Sequence, residues 1–216
     1  MIDWDAVETV FLDMDGTLLD LNFDNHFWCE FVPQRYAEMK KITLTEAKRE
    51  LVPRFKEMEG RIEWYCLDHW SRELELDIAG LKSEISGLIA VLPHVVEFLE
   101  KVRMRGKRLV LVTNAHRDSL GLKMEKTALN RFFDRIICAH DFGIPKENVS
   151  FWHRLNEVEP FQPEMTVMVD DSMAVLRSAA QYGIRNCIAI LKPDSKQPSR
   201  SVDEFPAICD FRELNC

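Results

Sequence analysis

The stretch Val10-Phe11-Leu12-Asp13-Met14-Asp15-Gly16-Thr17-Leu18-Leu19-Asp20 decides how this chain folds. It opens with an apolar run that reads as a strand buried on both faces. Residues two apart on a strand point to one side, so a strand ending at Asp13 aims Asp13 and Asp15 into one crevice. Two carboxylates that close repel each other. A hard divalent cation with oxygen ligands is the usual way to hold such a pair ionised, and Mg2+ is the common choice where phosphate is also present. Gly16 permits the sharp turn that leaves the backbone N–H groups of Met14 and Asp15 facing an anion. Asp-Gly is also a hairpin signal, but the residues after Gly16 are apolar and contain no alternating return strand.

Three further segments extend the motif. Leu109-Val110-Leu111-Val112-Thr113-Asn114 is a second apolar run ending in a hydroxyl, Ile144-Pro145-Lys146 sets a lysine at the start of a later segment, and Val167-Met168-Val169-Asp170-Asp171-Ser172 is a third apolar run ending in paired acids. With Asp13-Met14-Asp15-Gly16-Thr17 first, Thr113-Asn114 second, Lys146 third and Asp170-Asp171 last, the chain resembles the haloacid dehalogenase-like hydrolases in motif order and spacing.

The resemblance implies an acyl-phosphate route in which Asp13 is the nucleophile, splitting one hard displacement into two steps. Asp15 then acts as general acid on the leaving oxygen and as base on the incoming water. The Thr113 hydroxyl and the Asn114 N–H hold phosphate oxygens, and Lys146 offsets the developing negative charge. Mg2+ is expected on Asp13, Asp171 and the Asp15 carbonyl, with Asp170 as a second ligand or as outer support. Relatives that remove halogen, and those that cleave carbon–phosphorus bonds, lack an acid at the position of Asp15, so phosphate monoester hydrolysis is the expected reaction.

Length and charge bound the partners. A chain of 216 residues suits one domain with an insertion or two small domains. The formal net charge of −8, from 28 basic and 36 acidic residues, disfavours a nucleic-acid polymer and favours a small diffusible phosphomonoester. Six cysteines (Cys29, Cys66, Cys138, Cys187, Cys209, Cys216) show no zinc-ligand spacing and read as scattered buried thiols. The N-terminal residues carry no basic or long apolar leader and no run approaches about 18 apolar residues, so no membrane partner is expected and a reduced cytoplasmic enzyme is the consistent reading. The sequence says nothing of oligomeric state.

From residue 92 onward apolar runs alternate with helical periodicity, predicting an α/β fold: a doubly wound parallel sheet with a Rossmann-like core built from residues 1–20 and 92–216. Its crevice lies at the carboxyl ends of the strands. Residues 21–91 show no convincing strand. Apolar residues recur there at helical spacing (Phe27 and Phe31; Ala47, Leu51, Phe55 and Met58; Ile62, Cys66 and Trp70), Thr43 and Glu46 form a capping box, and Pro33 and Pro53 are expected to interrupt or kink two helices. In the family such an insert is the type-one helical cap, which lies over the crevice.

The insert also carries the substrate signal. Asn25-His26-Phe27-Trp28 and Trp64-Tyr65-Cys66-Leu67-Asp68-His69-Trp70 are both aromatic and polar. Together with Phe23-Asp24-Asn25, Thr113-Asn114-Ala115-His116 and Phe142-Gly143, they resemble the bacterial GMP/IMP 5'-nucleotidase group of the family. On that reading Asn25 or His26 contacts the base. A sugar-phosphate phosphatase or phosphoglucomutase-like enzyme shares every catalytic residue and is the alternative. A phosphoacceptor receiver module also uses acids, a Thr and a Lys at strand ends, but in the opposite order and without a helical insert.

Overall fold

Strand β1 (Thr9–Leu12) is buried along its whole length, because it lies in the middle of a six-stranded parallel sheet. In the computed structural model, which describes residues 2–214 and so leaves Cys216 outside, the strand order is β3-β2-β1-β4-β5-β6. The other strands are β2 (Arg108–Thr113), β3 (Arg135–Cys138), β4 (Thr166–Asp170), β5 (Asn186–Ile190) and β6 (Ala207–Ile208). Leu12 pairs with Leu111 of β2 on one side and Val169 of β4 on the other. The chain therefore departs in opposite directions from β1, and the carboxyl ends of β1, β2 and β4 border the crevice that such a reversal opens.

Alternate residues of each central strand feed different layers. Val10, Leu12, Leu109, Leu111, Val167 and Val169 pack in one apolar cluster with Val95, Phe98, Leu99 and Val102 of helix α6 (Val95–Met104). Phe11, Val110, Val112 and Met168 face the opposite cluster, which holds Phe151, Trp152 and Leu155 of α8 (Val149–Val158) and Val175, Leu176 and Ala179 of α9 (Met173–Tyr182). Helix α7 (Arg117–Thr127) lies on the α6 side through Leu120 and Met124. This two-sided burial is why the strands read as unbroken apolar runs.

Between β1 and β2 the chain forms α1 (Asn22–His26), α2 (Val32–Lys40), α3 (Leu44–Met58), α4 (Leu67–Leu74) and α5 (Ile78–Glu84), with no strand among them. A third apolar cluster, including Phe27, Ala47, Leu51, Phe55, Trp70 and Ile78, is made only of residues from this insert. The two crossings into and out of it are paired: Leu92 N–H donates to the Leu18 carbonyl and Asp20 N–H to the Ala90 carbonyl, each at 2.9 Å.

Several local readings change. Thr43 and Glu46 do form the capping box of α3. Neither proline ends its helix, however. Pro33 sits in the first turn of α2, directly after a widened π turn over Phe27–Phe31. The wider turn accommodates a ring that would otherwise strike the carbonyl four residues back. Pro53 lies inside α3 on an exposed face, where the missing N–H leaves its partner to water. Ile62 begins a short 3-10 turn (Ile62–Tyr65) rather than a helix and packs against the core cluster of α8 and α9 instead of its own insert. Helix α6 starts at Val95 because His94 is left-handed, with φ 62°. Among the described residues no cysteines are bonded to each other, and Cys29 and Cys209 are exposed rather than buried. No described helix is long and apolar enough to cross a membrane.

Candidate active site

Two strand ends deliver the three acids. Asp13 follows β1, where its N–H continues the ladder to the Val169 carbonyl at 3.0 Å. Asp170 closes β4 and Asp171 begins the loop into α9, whose first turn is capped by Ser172 through its side-chain oxygen and the Val175 N–H at 3.4 Å. One oxygen from each of Asp13, Asp170 and Asp171 falls within 4.8 Å of the others.

Lys146 is 1% exposed and supplies the central positive charge. Its Nζ donates to Asp13 Oδ1 at 2.5 Å, Asp170 Oδ2 at 2.7 Å and the Val112 carbonyl at 3.0 Å. Burial opposes its charge, but Asp13 and Asp170 more than reverse this and hold it protonated. Its own N–H donates to Asn114 Oδ1 at 2.9 Å, and its carbonyl accepts from Trp152 and Ser178. A lysine in a loop is thereby fixed at both backbone and side chain.

One ammonium does not balance three carboxylates. Burial, opposed chiefly by Lys146, raises Asp13 from the ordinary 3.8 to about 6, and burial with the neighbouring Asp170 and Asp13 lifts Asp171 well above that ordinary value. Asp170 has both oxygens engaged, Oδ2 with Lys146 and Oδ1 with the Ser172 N–H at 2.8 Å. A surplus of hard oxygen donors packed this tightly fits a divalent cation. Gly16 makes the room: at φ +82°, a Cβ here would lie 2.8 Å from Asp171 Cγ and Oδ2. Arg200 clamps the same loop by donating to the Asp171 carbonyl.

Asp15 belongs to a different charge group. Lys123 Nζ donates to Asp15 Oδ1 and to Asp24 Oδ2, each at 2.6 Å, and Lys82 Nζ donates to Asp24 Oδ1 at 2.5 Å. These two acids and two ammonium groups join β1, α1, α5 and α7. Burial lifts Asp15 to about 6 against the pull of Lys123. Asp24 experiences the same burial, but its two lysines hold it well below the usual carboxylate range.

Thr113 ends β2 with its Oγ1 accepting from the Ala115 N–H at 3.0 Å, and Asn114 Nδ2 donates to Glu147 Oε2 at 2.9 Å. Tyr65 of the insert donates to Glu147 Oε1, so Glu147 ties the insert to the Asn114 turn. Met14 is fully buried between these elements, and its N–H turns toward the Asp13 carboxylate.

From Asp15 a cavity of about 600 Å3 runs into the insert, walled by Trp28, Phe55, Trp64 and Tyr65 among others. Asn25 lines it and donates to Asp194 Oδ2 at 2.7 Å, whereas His26 is not on its wall. The structure thus brings Asp13, Asp15, Thr113, Asn114, Lys146, Asp170 and Asp171 of the sequence reading to one crevice and leaves His26, expected there as a base contact, off the cavity wall. The sequence reading missed Lys82, Lys123 and Glu147. The lysines carry a signal: each occupies the buried side of its helix, Lys82 four residues after buried Ile78 and Lys123 three after buried Leu120.

Comparison with known proteins agrees with this geometry. The family model for haloacid dehalogenase-like hydrolases matches residues 7–183. Over 213 residues, 99% of this chain and 96% of the relative, the chain is 39% identical to the GMP/IMP nucleotidase YrfG of Escherichia coli K12. Its fold superposes on that of a HAD phosphatase from Thermococcus onnurineus with a TM-score of 0.80 at 22% identity, covering 97% of this chain and 96% of the other. A HAD-superfamily hydrolase of subfamily IA from Geobacter sulfurreducens aligns at TM-score 0.64 and 19% identity over 97% and 95% of the two chains. With the four motifs gathered at the carboxyl end of the sheet and the family match spanning most of its length, this chain belongs to the haloacid dehalogenase-like hydrolases.

Proposed function

We propose that this hydrolase cleaves purine nucleoside 5'-monophosphates, GMP and IMP foremost, with Mg2+ as cofactor. The observation that carries the reading is an aromatic cavity of about 600 Å3 that opens at Asp15, two residues from Asp13, and lies within the size range of small-molecule sites. The relative that shares 39% identity is named for that substrate pair.

On this reading residues 21–91 act as a cap over a core formed by 1–20 and 92–216. The phosphate sits at Asp13, its oxygens held by the N–H groups of Met14, Asp15 and Asn114, the Thr113 hydroxyl and Lys146. An Asp13 oxygen attacks phosphorus, and Asp15 passes its proton to the departing ribose 5' oxygen. A carboxyl held at about 6 is suited to that donation near neutral pH. Asp15, now ionised beside Lys123, takes a proton from the water that cleaves the aspartyl phosphate and regenerates Asp13. Asp13, Asp171 and the Asp15 carbonyl, with Asp170 as ligand or support, would hold Mg2+, which would supply charge neutralisation for these anions. The nucleoside extends into the cavity, and of the two donors singled out near the start of the insert the reading retains Asn25, which lines it.

The test is a phosphatase panel with Mg2+ over GMP, IMP, AMP, pyrimidine nucleotides and ribose 5-phosphate. Base stacking of about 1–3 kcal/mol predicts GMP and IMP favoured over ribose 5-phosphate by roughly one to two powers of ten in kcat/KM. Equal rates on ribose 5-phosphate and GMP would move the reading to a sugar-phosphate phosphatase.

A further inference from the structure

Most polar side chains along the cavity are already engaged. Lys82 is committed to Asp24, Asn25 Nδ2 to Asp194 and the Tyr65 hydroxyl to Glu147. Glu30, in the π turn after α1, and Lys48, on α3, are different: they face each other across the wall, with Lys48 Nζ 2.6 Å from Glu30 Oε2, and both line the cavity. Each partner keeps bonding capacity, since the ammonium has three N–H groups and the carboxylate two oxygens. Their side chains are 34% (Lys48) and 53% (Glu30) exposed, so neither is locked in a dry core.

We propose that the Glu30–Lys48 pair reads the N1–H and O6 edge of a 6-oxopurine and is the specificity determinant of this enzyme; the inference rests on the nucleotidase reading above. The chemistry is one of polarity. Guanine and hypoxanthine present a donor at N1 beside an acceptor at O6, so an adjacent carboxylate and ammonium satisfy both at once. Adenine presents the reverse, an acceptor at N1 beside an amine, and would set lone pair against carboxylate and N–H against ammonium. The 2-amino group that distinguishes GMP from IMP adds a donor next to N1, where the second Glu30 oxygen accepts it without changing the shared pattern.

The aromatic wall fixes where the base goes. Trp28, two residues before Glu30, and Trp64 lie nearly parallel, with centroids 6.2 Å apart and planes inclined by 27°. Carbon atoms in contact need about 3.5–4.0 Å, so a ring inserted between the two would require about 7 Å. A base therefore does not fit between them and would stack on an indole face from the cavity side; the proposal places its edge at Glu30 and Lys48, which line the same cavity. Widened π turns of this kind recur at functional sites.

The experiment measures kcat/KM for GMP, IMP, AMP and p-nitrophenyl phosphate with the unaltered enzyme and with Lys48→Met, Glu30→Gln and Lys56→Met. Lys48→Met is expected to lower kcat/KM for GMP and IMP at least ten-fold, leaving p-nitrophenyl phosphate within two-fold. Glu30→Gln, whose amide can donate to adenine N1, is expected to reduce the GMP:AMP ratio at least ten-fold. Lys56→Met, at a cavity-lining lysine outside the proposed pair, should leave that ratio unchanged. An unaltered ratio in both Lys48→Met and Glu30→Gln, with the parent still preferring GMP, overturns this assignment alone. A parent enzyme with no nucleotide preference overturns the nucleotidase reading instead.

Discussion

Lys123 Nζ stands 2.6 Å from Asp15 Oδ1 and, at the same distance, from Asp24 Oδ2, binding the proposed general acid to the first helix of the insert. Lys123 is 1% exposed, so its charge has no water to fall back on and is stabilised by these two carboxylates. The position of the insert and the orientation of Asp15 are in this way parts of one buried electrostatic unit.

Removing that lysine leaves two half-buried carboxylates with one ammonium, Lys82. Lys123→Met is expected to cost about 3–5 kcal/mol of stability, the range for breaking a buried ion pair from one side. It should also lower kcat at least ten-fold, within the factor of about 10²–10⁴ that a positioned acid contributes. Urea unfolding and steady-state kinetics check both, and unchanged values in each would show that the network does not hold Asp15.

Asp13 is the proposed nucleophile, and Asp13→Asn keeps the size of its side chain while removing the carboxylate that would accept the phosphoryl group. Turnover is expected to fall below detection on every phosphomonoester, with the circular dichroism spectrum retained. Substantial residual Mg2+-dependent hydrolysis would transfer the nucleophile role elsewhere.

Asp171 gives a prediction with opposite signs for function and stability. Asp171→Ala should raise the Mg2+ concentration for half-maximal activity at least ten-fold, since one of few carboxylates around the cation is lost. The Asp171 pKa is raised on folding, so the folded state favours its protonated form, and its contribution to stability is lost as pH rises from the ordinary 3.8 through the folded value. At neutral pH without metal, the variant is therefore expected to melt higher than the parent, and added Mg2+ to narrow the gap. A variant that melts lower under metal-free conditions contradicts this.

Gly16→Ala tests the turn. Its φ of +82° is unfavourable for any residue with a Cβ, by roughly 1–2 kcal/mol. The added carbon would also press on Asp171 at 2.8 Å and on Pro193 Cβ at 3.0 Å. Lower stability together with a raised Mg2+ requirement is expected. A loss of stability with unchanged metal dependence would mean that Asp171 moves aside without consequence.

What the sequence by itself determined is the part of this protein in which neighbours in space are neighbours in sequence or sit at strand ends. The apolar runs before Asp13, Thr113 and Asp170 specify strands, the glycine after Asp15 specifies a turn, and the β-α alternation from residue 92 specifies a parallel sheet whose strand ends must converge. Thr43 and Glu46 marked the start of α3 because a capping box is a contact over three residues. The tertiary structure alone decided which charges meet. Asp24 and Lys123 are 99 residues apart, Asp24 and Lys82 are 58 apart, and Asn25 and Asp194 are 169 apart. No periodicity encodes such pairs, and a lysine in a helix reads as solvated until the packing removes its water. The same holds for the cavity wall: the sequence reading singled out His26 and passed over Glu30, whereas the π turn and the seating of α3 against it put Glu30 on the wall and leave His26 off it.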